Sequence, residues 1–180
     1  MDTRRKETDK KIKAAFIALM ETQPPSKITA QELCSKANIN RSTFYDHYPY
    51  MDALIRDIIH DQVMAICMDE ATNKAYSQEP VSSIPRQVIR SYIHHFRSNR
   101  VLNTFLTVEN SQNYAHIFVD EQINLLLDNV GYSHEKYYRV YFQNVAATAT
   151  ITRWLMDKEP ISEDALIDII ANYSAAMYMT

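Results

Sequence analysis

The chain has 180 residues, 46% of them hydrophobic, and a formal net charge of −3: enough apolar residue for one globular unit or two small packed ones, and no global basic field that would advertise nucleic acid. Its single glycine, Gly131, excludes Gly-rich phosphate loops, dinucleotide fingerprints and glycine-flanked nucleophile elbows, which need several glycines at fixed spacings. The N-terminal MDTRRKETDKK leads into no apolar signal core, no apolar run approaches the ~18–20 residues of a membrane span, and Cys34 and Cys67 read as small core residues of a cytoplasmic protein.

Helical periodicity dominates and no run alternates like a strand. Ile12, Ala15, Phe16, Leu19 and Met20 recur at i, i+3, i+4, i+7 and i+8, one apolar stripe on a helix that Gln23-Pro24-Pro25 ends. In ITAQEL, residues 28–33, Thr29 and Glu32 carry a capping-box signature, with Ile28 and Leu33 at the hydrophobic-staple positions. A short second helix is expected from Thr29 to about Lys36. Asn38 can take the left-handed turn conformation that glycine more often supplies. Asn40 reads as an N-cap, and Ile39 with Phe44 makes a second staple. A third helix of about two turns therefore follows the second after a tight turn, which is a helix-turn-helix unit.

On a wheel of residues 41–48, Phe44 and Tyr48 share the edge that must face the first two helices. Arg41, Ser42, Tyr45 and Asp46 fill the opposite arc, with Thr43 at its margin. In a helix-turn-helix this is the face that enters the major groove. Arginine can bond bidentately to guanine, and a threonine methyl can pack on the thymine methyl. Tyrosine and histidine commonly reach phosphate oxygens. The bland alternative is a polar, solvated face on a small helix. Charge placement adds a weak hint. Residues 1–60 hold 10 Lys+Arg and 8 Asp+Glu, against 9 and 14 in residues 61–180, a shift that ordinary solvated surface also gives.

A fourth helix is expected from near Tyr50 to about Asn73, then a two-proline loop over 77–85. Helices follow at about 86–98, 101–109, 113–128, 134–157 and 162–178. Ser162 caps the last, with Glu163 and Asp164 at its positive end. The reading is all-α, about eight or nine helices. Residues 1–49 are set apart as a three-helix helix-turn-helix head and residues 50–180 as a larger helical body.

Residues 28–54, ITAQELCSKANINRSTFYDHYPYMDAL, resemble the DNA-binding domain of the TetR/AcrR (tetracycline-repressor) family of bacterial regulators. The match covers about residues 8–56, with T-x-x-E-L in the second helix and R-S-T-F-Y-x-H-Y in the recognition helix. RWLMDKEPISEDALIDII, residues 153–170, resembles the end of one C-terminal type of that family. The resemblance implies an Ω-shaped homodimer whose subunits each join a DNA-binding head, residues 1–49, to a body for effector binding and dimerisation, residues 50–180. It places Thr29 against a phosphate at the start of the second helix. It puts Arg41, Ser42 and Thr43 at base-reading positions, and Tyr45 and His47 at phosphate contacts. Two departures stand out. Asn38 replaces the usual turn glycine, and Met51 occupies a position where the family often has a phosphate-binding lysine. The Arg4, Arg5, Lys6, Lys10 and Lys11 cluster either compensates along the DNA backbone or is a frayed, solvated tail.

In the body, YYRVYFQNVAATATITRWL, residues 137–155, places aromatics first and small residues after. The last helix carries two apolar stripes, Leu166, Ile169, Ile170, Tyr173 and Met177 on one and Ile167, Ala171, Ser174 and Tyr178 on the other, so it is expected to be buried on two sides. The two helices read as half of a four-helix dimer contact with Ala146, Ala149, Leu166, Ile170, Tyr173 and Met177 in the interface. The alternative is a monomer whose last helix caps its own core. Tyr92, Phe96, Phe105, Tyr114, Phe118, Tyr137 and Tyr141 either line an effector pocket with apolar walls and polar tips or are ordinary core aromatics. No cofactor or metal is expected, since His94 and His95 point about 100° apart on a helix and cannot easily share one ion. The function expected is sequence-specific binding of a pseudo-palindromic DNA operator by a homodimeric regulator, a repressor modulated by a small molecule. A TetR-like regulator controlled by a protein partner is the second reading. A small helical enzyme is the third, with no nucleophile–base pair or paired carboxylates to support it.

Overall fold

The computed structural model describes residues 3–68, 83–107, 111–128, 133–158 and 160–176. Among these the chain is helical throughout, with no strand. The helices are α1 (Thr3–Leu19), a 3-10 turn (Pro25–Lys27), α2 (Ala30–Ala37), α3 (Arg41–His47), α4 (Met51–Cys67), α5 (Arg86–Ser98), α6 (Arg100–Thr107), α7 (Ser111–Asp128), α8 (His134–Met156) and α9 (Glu163–Ala176). None of them is long and apolar enough to cross a membrane. The chain divides into two compact units, Met1–Ile59 and His60–Thr180. The division falls inside α4, past the residue 49 boundary expected from the sequence.

The first unit is built as its local signals dictate. Ile12, Ala15 and Phe16 of α1 and Met20 just past its end are buried with Ile28, Leu33, Phe44 and Leu54 in the core of this unit. The α2 cap is a reciprocal box. The Glu32 N–H donates to Thr29 Oγ1 at 3.3 Å, and the Thr29 N–H donates to the Glu32 carboxylate at 2.9 Å. Asn38 has φ 53°, ψ 53°, the one positive φ among the described residues. There the chain turns back, and the Ile39 N–H reaches the Cys34 carbonyl at 3.0 Å. Asn40 has the extended backbone of an N-cap, but its side chain makes no capping hydrogen bond. Ile39 is half-buried and Phe44 fully buried, so apolar packing, not a side-chain cap, sets where α3 starts.

The second unit packs α7 against α6 and α8, and α9 against α5 and α8. Its core draws on Ile89, Ile93 and Phe96 of α5, Leu102 and Phe105 of α6, Phe118 and Ile123 of α7, and Leu166 and Ile167 of α9. Along the α5–α9 seam Arg90 pairs with Asp164 at 2.8 Å, Arg97 with Glu163 at 2.8 Å, and Arg86 with Asp168. These pairs are exposed and each contributes little alone. Arg97 also lies 4.4 Å above the Trp154 ring, whose N–H donates to the Ile161 carbonyl at 2.7 Å. At the start of α9 the Ser162 hydroxyl accepts from the Ala165 N–H at 3.3 Å.

Candidate nucleic-acid interface

The wheel of α3 is realised side chain by side chain. Phe44 and Tyr48 are buried, while Arg41, Ser42, Tyr45 and Asp46 are exposed and Thr43 is half-buried. Tyr45 stands edge-on to Phe44, ring centroids 5.2 Å apart. Its hydroxyl, one turn from Arg41, lies near the guanidinium and holds the Arg41 pKa above the ordinary arginine value. The two outward side chains are neighbours at i and i+4 on the exposed face of α3.

Thr29 is exposed at the start of α2, and its hydroxyl donates to Glu32 at 2.7 Å. That hydroxyl and the Thr29 N–H hold the Glu32 carboxyl below the usual range. A phosphate at this helix start meets a carboxylate already seated there. His47 faces inward: its side chain is 9% exposed, with Nδ1 3.8 Å from the Asp9 carboxylate. Met51 is half-buried at the start of α4 and offers no donor.

Polar contacts that the sequence did not announce hold α3 in place. The Tyr48 hydroxyl donates to Asp57 of α4 at 2.8 Å and also meets Asp9 of α1. Lys13 reaches Asp57 at 2.7 Å. Burial, then the two carboxylates, push the Tyr48 phenol far above its ordinary value. Arg5 donates to the Asp46 carbonyl at 3.1 Å, which supplies a cation and a donor to the negative end of α3. The basic cluster is thus helical from Thr3, and Arg5 is anchored. Arg4, Thr8 and Lys11 face Ser35, Asn38 and Thr43 across an open polar groove of about 580 Å³.

In the second unit the seven aromatics separate into two groups. Phe96, Phe105 and Phe118 are fully buried, with Phe96 edge-on to Phe118 at 5.4 Å, Tyr92 edge-on to Phe96 at 6.0 Å, and Phe105 against Tyr114 at 5.3 Å. Tyr137 and Tyr141 stack at 6.0 Å and cover Val119 and Ile123, and Tyr141 meets His116 Nδ1 at 3.1 Å. A cavity of about 20 Å³ lies between α5, α7 and α8, and Tyr92 alone of the seven lines it. On α8 and α9, Ala146, Ala149 and Tyr173 are exposed, whereas Leu166 and Ile170 turn into the subunit's own core. Met177 lies outside the described residues. The exposed apolar side chains beside them, Tyr138 (69%), Phe142 (60%), Val145 and Ile169, are not assigned to the contact by sequence. On α8 the exposed face runs Tyr138, Phe142, Val145, Ala149, spaced i, i+4, i+7 and i+11.

By sequence, no protein-family model and no curated protein matches the chain. By structure it resembles a TetR transcriptional regulator from Streptococcus agalactiae 2603V, at 20% identity and TM-score 0.64 over 98% of this chain and 96% of that one. It resembles RolR in complex with its ligand resorcinol, at 14% identity and TM-score 0.61 over 98% and 90%. A TetR regulator from Rhodococcus sp. RHA1 matches at 14% identity and TM-score 0.60 over 99% and 98%. Likenesses at such identities, spanning both chains nearly end to end, show the fold.

Proposed function

We propose that this chain, which has the fold of the TetR-family transcriptional regulators, is a cytoplasmic, sequence-specific DNA-binding regulator that acts as a homodimer on a pseudo-palindromic operator. Repression is its resting activity, and an effector in the second unit relieves it. The observation that carries this is the outward Arg41, Ser42 and Tyr45 arc on a helix whose other edge is locked into a core. Such a helix has donors to spend on base edges and a backing that fixes their direction. Thr43 joins this arc at its margin as a base-reading residue, and Thr29 and the open groove beside Arg4 and Lys11 supply phosphate contacts.

Dimerisation is assigned to the apolar face of α8 and α9, from Tyr138 and Phe142 to Tyr173, since a contiguous exposed apolar face of this kind marks an association surface. The likeness to RolR bound to resorcinol supports a small-molecule effector. A protein partner in place of a small effector is favoured by one observation, the close packing of Phe96, Phe105 and Phe118. The test of the main reading is selection of bound duplexes from random or genomic DNA by the purified protein. An inverted repeat should be enriched, with half-sites about one helical turn apart or a multiple of it. A pool that stays random after repeated rounds would remove the reading.

A further inference from the structure

One charged group on the outward arc of α3 is left over once Arg41 is given a base edge. Elsewhere in this unit the Asp9 and Asp57 carboxylates are engaged by Tyr48 and Lys13, and the Glu32 carboxylate by Thr29. Asp46 is exposed, and its carboxylate makes no hydrogen bond or ion pair among the described residues. Its main chain is held, since Arg5 of α1 donates to the Asp46 carbonyl at 3.1 Å. Ser42 and Asp46 are neighbours at i and i+4, beside the Arg41 and Tyr45 pair. The arc therefore presents a cation on one half and an acceptor-only anion on the other.

An acid on a face that meets phosphates is repelled whatever the sequence. A donor on a base edge turns that cost into a preference, because only some sequences place one there. The major groove offers two such donors, the adenine N6 and cytosine N4 amino groups. Adenine sets its N7 acceptor beside the amino group, which repels a carboxylate, whereas the cytosine edge carries no acceptor of its own. Arg5 places a cation next to Asp46 that offsets repulsion from the DNA backbone. We propose that Asp46 is a specificity-determining residue that accepts a hydrogen bond from a cytosine N4 amino group. The proposal rests on the reading of α3 as the base-reading helix and adds a second charged reader to it. Asp46 and Arg41 are separated by about 7.5 Å along the helix axis, against a step of about 3.4 Å between base pairs. They meet different base pairs.

Full-length wild type, Asp46→Ala and Asp46→Asn each select duplexes from one random pool, and the bound-sequence preferences are compared base pair by base pair. Wild type should require cytosine at one position per half-site, where any other base should cost about fivefold or more. Asp46→Ala should flatten that position and keep the preference that Arg41 supplies, which also shows that the helix is intact. Asp46→Asn should move the preference from cytosine to adenine, because an amide accepts from N6 and donates to N7. Where Asp46→Ala binds no duplex, the near-isosteric Asp46→Asn decides alone, and loss of binding by both would make Asp46 a structural residue and overturn the proposal. A flattened position that held any base but cytosine would overturn it too. Tighter binding of every sequence with preferences unchanged would show that the carboxylate only repels phosphates. Unchanged affinity and preferences would show that it faces solvent, and either result overturns the proposal. In those cases a wild type that still selects its inverted repeat leaves the regulator reading standing, whereas a wild type that enriches no duplex removes both.

Discussion

At the residue scale, Arg41 and Tyr45 are neighbours on one face of α3, and two roles for Tyr45 follow. From sequence its hydroxyl is a phosphate contact, and its loss should weaken every duplex alike. In the structure Tyr45 also stands one turn from Arg41 on the same exposed face, near enough to raise the Arg41 pKa, which offers a second role, support of the guanidinium. If Tyr45 supports Arg41, Tyr45→Phe should relax preference at the same base pair that Arg41→Ala relaxes, and the double substitution should cost less than the sum of the two. A base-by-base comparison of bound-sequence preferences checks this, and a uniform loss over all sequences would return Tyr45 to the phosphate. Thr29 is the residue best legible in advance, because a capping box is a local event written within four positions. Thr29→Ala should cost about 1 kcal/mol of stability in a denaturant titration. Glu32 sets the pH window of that cap. Its folded pKa is depressed, so its contribution is complete above the ordinary glutamate range and is lost as pH falls through the lowered value.

At the element scale, α3 is placed by contacts that no local pattern encodes. Tyr48 reads as an apolar partner of Phe44, and it is one: its ring is buried, 6.2 Å from Phe44. Its hydroxyl also joins Asp9, 39 positions earlier, to Asp57. Sequence shows side-chain types and periods, not which distant polar groups will converge. The phenol has one hydrogen and faces two carboxylates, so it cannot donate to both at once. Tyr48→Phe should cost about 1.5–3 kcal/mol, the range for hydrogen bonds to charged groups. Asp9→Asn should keep stability at or above wild type, because an amide can donate to the Tyr48 oxygen while Tyr48 donates to Asp57. Thermal melts of the two variants decide it: an Asp9→Asn variant that melts as low as the Tyr48→Phe variant would show that hydrogen count is not what limits this network. The same limit of sequence reading explains α9. Two apolar stripes say that a helix is covered twice, but not that Leu166 and Ile170 face the subunit's own core while Ile169 and Tyr173 face out.

At the scale of the whole molecule, helix count and fold class were legible because 3.6-residue periodicity and capping residues recur along the chain. The role of the aromatics was not, since composition gives the same tyrosines to a pocket wall and to a core. The exposed face of α8 and α9 makes a further prediction. Phe142→Asp or Ala149→Arg should give monomers of unchanged helical content in sedimentation, and a variant that stays dimeric would move the contact elsewhere. A dimer then presents two copies of α3 to a two-fold symmetric site, and an effector acts only through unequal affinity for the binding and non-binding states. Base reading by α3 is the central claim, and the most direct measurement is titration of the selected duplex and a scrambled one with wild type and Arg41→Ala at several salt concentrations. The expected result is a loss of about 1–3 kcal/mol on the selected duplex, little loss on the scrambled one, and relaxed preference at one base pair per half-site. Equal losses on both duplexes would show that Arg41 only positions the helix, and would contradict the account.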